Sequence, residues 1–216
     1  AEEKEGVQTH YLRESPTARY SRQWWRGSVA RFLELAKQSP FDVVLSQSIA
    51  AYGYCRQART ARRPPVVAFM HGTPRGELKS AWNQVTTLRE AAPFFLKTLP
   101  EVFLRFVHWF RVTLAAAERI VTVSPQVAED LEREFPSAAG KLSTVLIWID
   151  TGLFRPDDAR RMATRERFGI GAEEKLVLMA GRLDKQKGMD DGLRAFARAR
   201  STLGRGRLMV VGDGPF

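Results

Sequence analysis

The stretch 175–214 constrains the fold of this chain more than any other part of the sequence. Residues 176–180 form a short apolar run of strand length, and Gly181 marks its end. Apolar residues then recur at helical spacing from Met189, and a second apolar run follows at 207–211. A strand, a loop, a helix and a strand in this order predict a βαβ unit of a parallel sheet.

The loop that follows the first of these strands carries two basic residues, Arg182 and Lys187, beside Gly181 and Gly188. Ligands of parallel sheets bind at the carboxyl ends of the strands, so the loop predicts a site for an anionic ligand. The alternative is that both residues are solvated surface charges, as most arginines and lysines are. Charge alone does not choose between the two interpretations.

The strand and helix pattern continues upstream. Nearly continuous apolar runs predict buried parallel strands at 41–46, 66–70, 120–124 and 142–149. Apolar residues at helical spacing predict a helix at 22–38. Helices are also predicted at 49–61, at 125–135 and, as a polar Arg-rich connector, at 157–168, and weak alternation predicts a strand within 6–13. Ser124 before Pro125 is a good helix cap, and Cys55 is predicted to be a small buried residue.

Three short runs of the sequence resemble the donor half of the family 4 glycosyltransferases of the GT-B fold: Gly181-Arg182-Leu183, Lys187-Gly188 and Gly212-Asp213-Gly214-Pro215. The resemblance implies that Arg182 and Lys187, with Gly181 and Gly188, hold the diphosphate of a nucleotide-sugar donor. It also implies that Gly212, Asp213 and Gly214 lie near the donor nucleotide or sugar.

Upstream runs are similar to the acceptor domain and linker of the same family: 41–44, His71-Gly72, 120–124, Asp150 and 154–156. The resemblance therefore implies an α/β chain with two Rossmann-like parallel-sheet domains, both incomplete. The first, 1–152, is the acceptor-side domain without its first strands. The second, 153–216, is the start of the nucleotide-sugar-binding domain.

The sequence departs from the family pattern at three places. Ile147-Trp148 stand where the family has Asn-Gly before the position of Asp150. The family's two glutamates on a later helix would lie beyond Phe216, and its glycine-rich loop would lie before Ala1. We therefore expect the chain to be an internal fragment of a larger enzyme.

The resemblance also implies the chemistry, which is retaining transfer of a hexose from a nucleotide-diphosphate sugar to a glycan or lipid-linked acceptor. His71 would be the catalytic-site histidine near the acceptor and the transferred sugar; the alternative is a structural histidine with a backbone partner. The sequence has no Asp-x-Asp pair, and the adjacent acids 157–158 and 190–191 point apart on a helix. We expect no metal and no cofactor. His10 and His108 match no motif and are expected to be structural.

The net charge of +10 favours a partner that carries negative charge. The sequence has no basic tail, no zinc-finger spacing and no aromatic RNA motif, so we expect no nucleic acid partner. Residues 92–119 are rich in Phe and Leu around Pro100. They predict either a helix buried against the sheet or an interfacial helix at an anionic membrane, where Lys97, Arg105 and Arg111 meet headgroups.

A single cysteine favours a reducing cytoplasm, and the membrane alternative adds the inner face of the membrane. Two other functions stay open from the sequence. One is a basic anion-binding module without catalysis, and the other is a nucleotide-sugar epimerase built on the same fold.

Overall fold

The computed structural model describes residues 2–13, 15, 20–57, 63–85 and 87–214, with the backbone alone at Arg105 and Phe106. The chain forms two compact units, Ala1–Ile147 and Trp148–Phe216. The domain limits expected from the sequence, 1–152 and 153–216, stay a prediction.

The strand predicted within 6–13 is confirmed, and it is the second strand of a β-hairpin. Strands β1 (Glu2–Lys4) and β2 (Val7–Thr9) pair in antiparallel order. The residues between them, Glu5 and Gly6, have positive φ angles of 54° and 78°. Two-residue turns with positive φ match the twist of the strands they join, so the Glu-Gly pair reverses the chain here.

A four-stranded parallel sheet is the centre of the first unit. Its strands lie in the order β3-β4-β5-β6: β3 (Val44–Gln47), β4 (Val66–Met70), β5 (Arg119–Thr122) and β6 (Leu142–Thr144). The predicted strands are confirmed at β3, β4 and β5, with small shifts at their ends. The predicted strand 142–149 ends early, because the chain leaves the sheet after Val145 N donates to the Thr122 carbonyl at 2.9 Å.

Seven helices of the first unit's described residues connect or cover these strands: α1 (Arg22–Ala36), α2 (Tyr52–Cys55), α3 (Pro74–Trp82), α4 (Leu88–Pro93), α5 (Leu99–Leu104), α6 (Arg111–Ala116) and α7 (Pro125–Glu134). A short 3₁₀ turn, Pro136–Ala138, follows the last of them. The predicted helix 49–61 is helical only over α2, and its residues 58–62 lie outside the described part. Buried side chains of β4, α6 and α7 meet in the core, where Met70, Leu114 and Leu131 have no exposed surface.

Helices α4, α5 and α6 form one continuous helical segment, because two π-helical stretches join them, Phe94–Thr98 and Arg105–Phe110. Pro100 lies within α5, near its start. A proline removes a backbone donor and crowds the preceding turn, and a π turn is one way for a helix to accommodate this. Each π turn adds a residue, so Phe94, Val102 and Phe110 follow one another at intervals of eight and all face inward.

The opposite side of this segment is apolar and exposed. Leu88 and Leu96 are 92% and 81% exposed, and Phe95 and Phe103 are more than half exposed. Trp82 at the end of α3 packs against Phe95 with ring centroids 5.7 Å apart. We call these five side chains the apolar face. The helix is therefore buried on one side, as the first interpretation expected, and leaves its other side uncovered within the described residues.

The second unit contains the predicted βαβ arrangement, which is confirmed. Its elements are α8 (Asp158–Arg167), β7 (Lys175–Ala180), a 3₁₀ turn (Lys185–Lys187), α9 (Met189–Leu203) and β8 (Gly206–Val211). Strands β7 and β8 are parallel and in register from Lys175 opposite Gly206 to Ala180 opposite Val211. Their carboxyl ends therefore lie side by side, and the loops that follow them start at the same edge.

Candidate functional site

The two glycine-containing loops of the second unit run next to each other beyond the sheet. Gly181 N donates to the Val211 carbonyl at 3.0 Å, and Leu183 N donates to the Asp213 carbonyl at 2.9 Å. The parallel pairing of β7 and β8 thus continues into the loops. Arg182 and Asp213 lie some thirty positions apart in the sequence. The backbone around these two residues forms one continuous surface.

Close approach of these loops requires glycine at two positions. A Cβ on Gly212 would lie closer than 3.0 Å to the carbonyl of Gly181. A Cβ on Gly214 would lie closer than 3.0 Å to the backbone of Leu183. Non-bonded atoms do not approach one another this closely. Any residue larger than glycine at position 212 or 214 would therefore push the two loops apart. Pro215, the last residue of the resembling run, lies outside the described residues.

The Arg182 side chain is fixed by two residues of its own loop. Its side chain is 62% exposed, its Nε donates to Asp184 Oδ2, and its Nη2 donates to Gln186 Oε1 at 3.3 Å. The other carboxylate oxygen of Asp184 accepts from Lys187 N at 3.1 Å. One carboxylate thus fixes the guanidinium and the turn that carries Lys187. The sequence analysis missed Asp184 and Gln186.

Lys187 stands at the start of α9. Gly188 follows it in the left-handed region with φ 65° and is the N-cap of the helix, without a side-chain hydrogen bond to the first turn. The N-terminus of a helix carries a partial positive charge, so it adds to the charge of Lys187 and Arg182. Asp190 and Asp191 in the first turn oppose it, and Asp190 lies 3.6 Å from Arg194. The Lys187 ammonium has no partner among the described residues.

His71 belongs to the first unit, at the carboxyl edge of the four-stranded sheet. It follows β4, is exposed, and its Nε2 lies 2.8 Å from Oε1 of Gln47, the last residue of β3. Its partner is a side chain and not the backbone group that the structural alternative proposed. Parallel strands end at one edge, which is why β3 and β4 bring these two side chains together.

The chain after His71 is anchored by a buried contact. Thr73 is buried, caps α3 by accepting from Gly76 N at 3.0 Å, and donates to Glu134 Oε1 at 2.6 Å. Arg75 N donates to the other oxygen of Glu134 at 3.4 Å. The start of α3 is therefore tied to the end of α7, and both ends of the His71 loop are fixed. The sequence analysis missed Gln47, Thr73 and Glu134.

Other residues singled out from the sequence have local roles. Ser124 caps α7 through a 3.3 Å bond from Val127 N, and His10 Nδ1 lies 3.1 Å from Nη2 of Arg31. Asp150 accepts from Gly152 N at 2.9 Å and Leu153 N at 3.1 Å, which closes a turn. Cys55 is buried, and burial raises the pKa of its thiol to about 11.

In the described part of the chain, no group of three or more His, Cys, Asp or Glu side chains is placed to hold a metal ion. None of the helices found there has the length and apolar composition that a membrane span requires.

Comparison with known proteins gives a family match. The family model described as Glycosyltransferase Family 4 matches residues 1–153. D-inositol 3-phosphate glycosyltransferase 2 of Catenulispora acidiphila is 37% identical over 98 residues, which cover 44% of this chain and 22% of that protein. A GDP-mannose-dependent alpha-(1-6)-phosphatidylinositol monomannoside mannosyltransferase of Mycolicibacterium smegmatis is 37% identical over 81 residues, covering 38% of this chain and 20% of that protein.

Solved structures share the fold. Sucrose-phosphate synthase from Thermosynechococcus elongatus has a TM-score of 0.61 and 21% identity, over 93% of this chain and 45% of that one. Anabaena HepE, solved with UDP and glucose, has a TM-score of 0.56 and 19% identity, over 87% of this chain and 43% of that one. The chain thus spans less than half of each matched structure. The predicted fold class, α/β with Rossmann-like parallel sheets of the GT-B kind, is confirmed.

Proposed function

Since the chain belongs to Glycosyltransferase Family 4, we propose that the protein transfers a hexose from a nucleotide-diphosphate sugar to a glycan or lipid-linked acceptor. Transfer retains the anomeric configuration and uses neither a metal nor a cofactor. The names of two relatives support the substrate classes: one depends on GDP-mannose and acts on a phosphatidylinositol monomannoside, and another acts on D-inositol 3-phosphate.

The observation that carries the proposal is the pair of glycine loops at the ends of β7 and β8, with Arg182 and Lys187 beside the N-terminus of α9. A diphosphate bound there faces two cations and the positive end of a helix. Arg182 offers a planar fork with five N–H donors, of which Asp184 and Gln186 engage Nε and Nη2. The remaining donors can bind phosphate oxygens.

The chemistry follows from where charge develops. When the bond between the anomeric carbon and the diphosphate breaks, negative charge grows on the departing phosphate oxygens. Cations and backbone dipoles already fixed at that place stabilise the charge without reorganising. Asp184 contributes by holding the guanidinium in place before the ligand arrives, which reduces the entropy lost on binding. His71, held by Gln47 in the first unit, is proposed to act near the acceptor and the transferred sugar.

We also propose that the protein works in the cytoplasm and touches the inner face of a membrane, where a lipid-linked acceptor would be found. The apolar face supports this contact, because exposed Leu and Phe side chains can enter the boundary between headgroups and acyl chains. Exposed basic residues flank the face and suit anionic lipids: Lys79, Arg89, Lys97 and Arg111.

Arg182→Ala and Lys187→Ala in the complete enzyme test the donor site. We expect each to lower kcat by about 10²–10³-fold, as the loss of one group that stabilises transition-state charge does. The matched controls are Arg205→Ala and Lys175→Ala, which remove the same charges at the amino ends of β8 and β7. They should leave turnover unchanged.

The measurement is formation of glycosylated product from UDP- and GDP-hexoses, followed by mass spectrometry and anomeric NMR signals. Product with an inverted anomeric centre, or an epimerised free nucleotide sugar, would exclude the proposed reaction. Full activity in either Arg182→Ala or Lys187→Ala would reject the site.

A further inference from the structure

A cleft of about 650 Å³ lies between α1 and α2 in the first unit. Trp25, Val29 and Tyr52 form its apolar lining, with the Trp25 and Tyr52 ring centroids 4.6 Å apart. Arg22 and Arg26, one helical turn apart on α1, line it as well. Its size is in the range of small-molecule sites, and its floor is aromatic as in many of them.

Three guanidinium groups line this cleft, and no carboxylate of the described residues does: Arg22, Arg26 and Arg56. None of the three has an ion pair or a hydrogen bond in the described part of the chain. Arg56 only lies over the Tyr52 ring, 5.9 Å from its centroid. Elsewhere on α1 the pattern is different, since Arg31 pairs with Glu34 at 2.7 Å. Like charges brought together without counter-charges repel one another, so the cleft favours an anion.

The basic surface extends beyond the cleft. Arg26 also lines a second cavity of about 440 Å³, which Arg13 and Tyr11 share. A fourth arginine, Arg13, therefore lines a cavity that adjoins Arg26.

We propose that the cleft between α1 and α2 binds a phosphate group that is attached to a partly apolar molecule. Arginine forks match phosphate oxygens in geometry and charge, and several can share one phosphate. The aromatic floor gives the rest of the ligand an apolar surface to rest on. All residues of this site belong to the first unit, and the proposal does not depend on the glycosyltransferase activity.

The phosphate can belong to a free phosphate compound or to a lipid headgroup, and two probes distinguish these sources. The first is inorganic phosphate. The second is dihexanoyl phosphatidylglycerol below its micelle concentration, which offers a headgroup without a bilayer. Calorimetric titration of the complete protein gives the affinity for each, with dihexanoyl phosphatidylcholine as the zwitterionic reference, whose headgroup carries a phosphate but no net charge.

The test variants are Arg22→Gln, Arg26→Gln and Arg56→Gln, singly and together. Each loses a charged hydrogen bond, so we expect about tenfold weaker binding for each. The charge-matched control is the triple variant Arg198→Gln, Arg200→Gln and Arg205→Gln, which changes exposed arginines of the second unit. It should bind as the unchanged protein does. Circular dichroism and the melting temperature confirm that each variant is folded.

Loss of binding in the cleft triple, with retention in the control, supports the site. Tighter binding of the short phosphatidylglycerol than of phosphate then assigns a lipid. Equal or weaker binding assigns a free phosphate compound and overturns the proposed apolar contact with Trp25 and Tyr52. The proposal is overturned if neither probe binds, or if the control triple loses as much affinity as the cleft triple.

Discussion

Asp184 organises the basic loop of the second unit, although it is an acid between two cations that were expected to bind an anion. Its two oxygens contact the Arg182 guanidinium and the Lys187 backbone N–H. In the sequence it looks like one more surface charge. Its position three residues before Lys187 is the available signal, because Asp often caps a turn by accepting from the backbone that follows it.

The position of His71 could be predicted from the sequence, but its side-chain partner could not. The apolar run 66–70 fixes where β4 ends, so the sequence could place His71 at the sheet edge. Its partner Gln47 could not be found the same way. That contact depends on the register of β3 against β4, with Gln47 opposite Phe69, and register is a property of two distant segments.

Gly214→Ala should disrupt the contact between the two glycine loops. The new Cβ would collide with the Leu183 backbone, and we expect a loss of about 1–3 kcal/mol in the free energy of unfolding. Gly72→Ala is the control, since a Cβ there meets no atom within 4 Å. Its effect should stay within about 0.5 kcal/mol. Urea unfolding of both variants measures the difference, and equal stabilities would contradict the described approach of the loops.

At the scale of elements, helix α1 is anchored by aromatic contacts and by one very close backbone approach. Trp25 packs against Trp109 with centroids 4.9 Å apart, and Trp24 Nε1 donates to the Ala50 carbonyl at 3.3 Å. A Cβ on Gly53 would lie closer than 3.0 Å to Trp25. The helix α2 can therefore approach α1 only because position 53 lacks a side chain.

Two glycine substitutions in these helices should have opposite effects. Gly53→Ala should destabilise the protein by about 1–3 kcal/mol, because it forces α1 and α2 apart. Gly27→Ala in the middle of α1 should stabilise it by up to about 1 kcal/mol. Alanine is the better helix former, and the new Cβ meets only the flexible Leu12 side chain at 3.4 Å. Thermal unfolding of both variants, compared with the unchanged protein, decides whether the signs differ.

The elements that the sequence predicted well are those in which local pattern and burial agree. Strand β4 and helix α7 have nearly the bounds predicted, since an apolar run and a Ser-Pro cap define them locally. The run 142–149 is as apolar as a strand, but the strand in the structure ends at Thr144. Ile147 and Trp148 are 72% and 83% exposed and lie outside every strand of the described residues. Whether an apolar run finds a strand to pair with depends on the rest of the sheet, which local composition does not encode.

At the scale of the whole chain, a net charge of +10 occurs together with an apolar face that no described residue covers. A second copy of the same surface would bring its basic residues against those of the first and be repelled. An anionic bilayer attracts the charges and accepts the apolar side chains, so the combination supports the proposed membrane contact more than self-association.

Leu96→Ser with Phe103→Ser should weaken binding of the complete protein to phosphatidylglycerol vesicles by at least about tenfold, because two exposed apolar side chains that would insert into the lipid are lost. Leu193→Ser on α9, also an exposed leucine, is the control and should bind as before. Co-sedimentation at low and high salt measures both, and added salt should reduce binding of all forms. If the control variant loses as much vesicle binding as the double variant, the apolar face is not the surface that binds the membrane.

The two π turns have a consequence for how this region tolerates changes in length. Each holds one residue more than an α-helix would need over the same rise. Loss of a single residue there leaves an ordinary α-helix and keeps the flanking sides in phase. Within α1 the same loss would rotate everything downstream by about 100°. Insertions and deletions among homologous chains should therefore accumulate at 94–98 and 105–110, where each π turn contains one residue more than an α-helix needs.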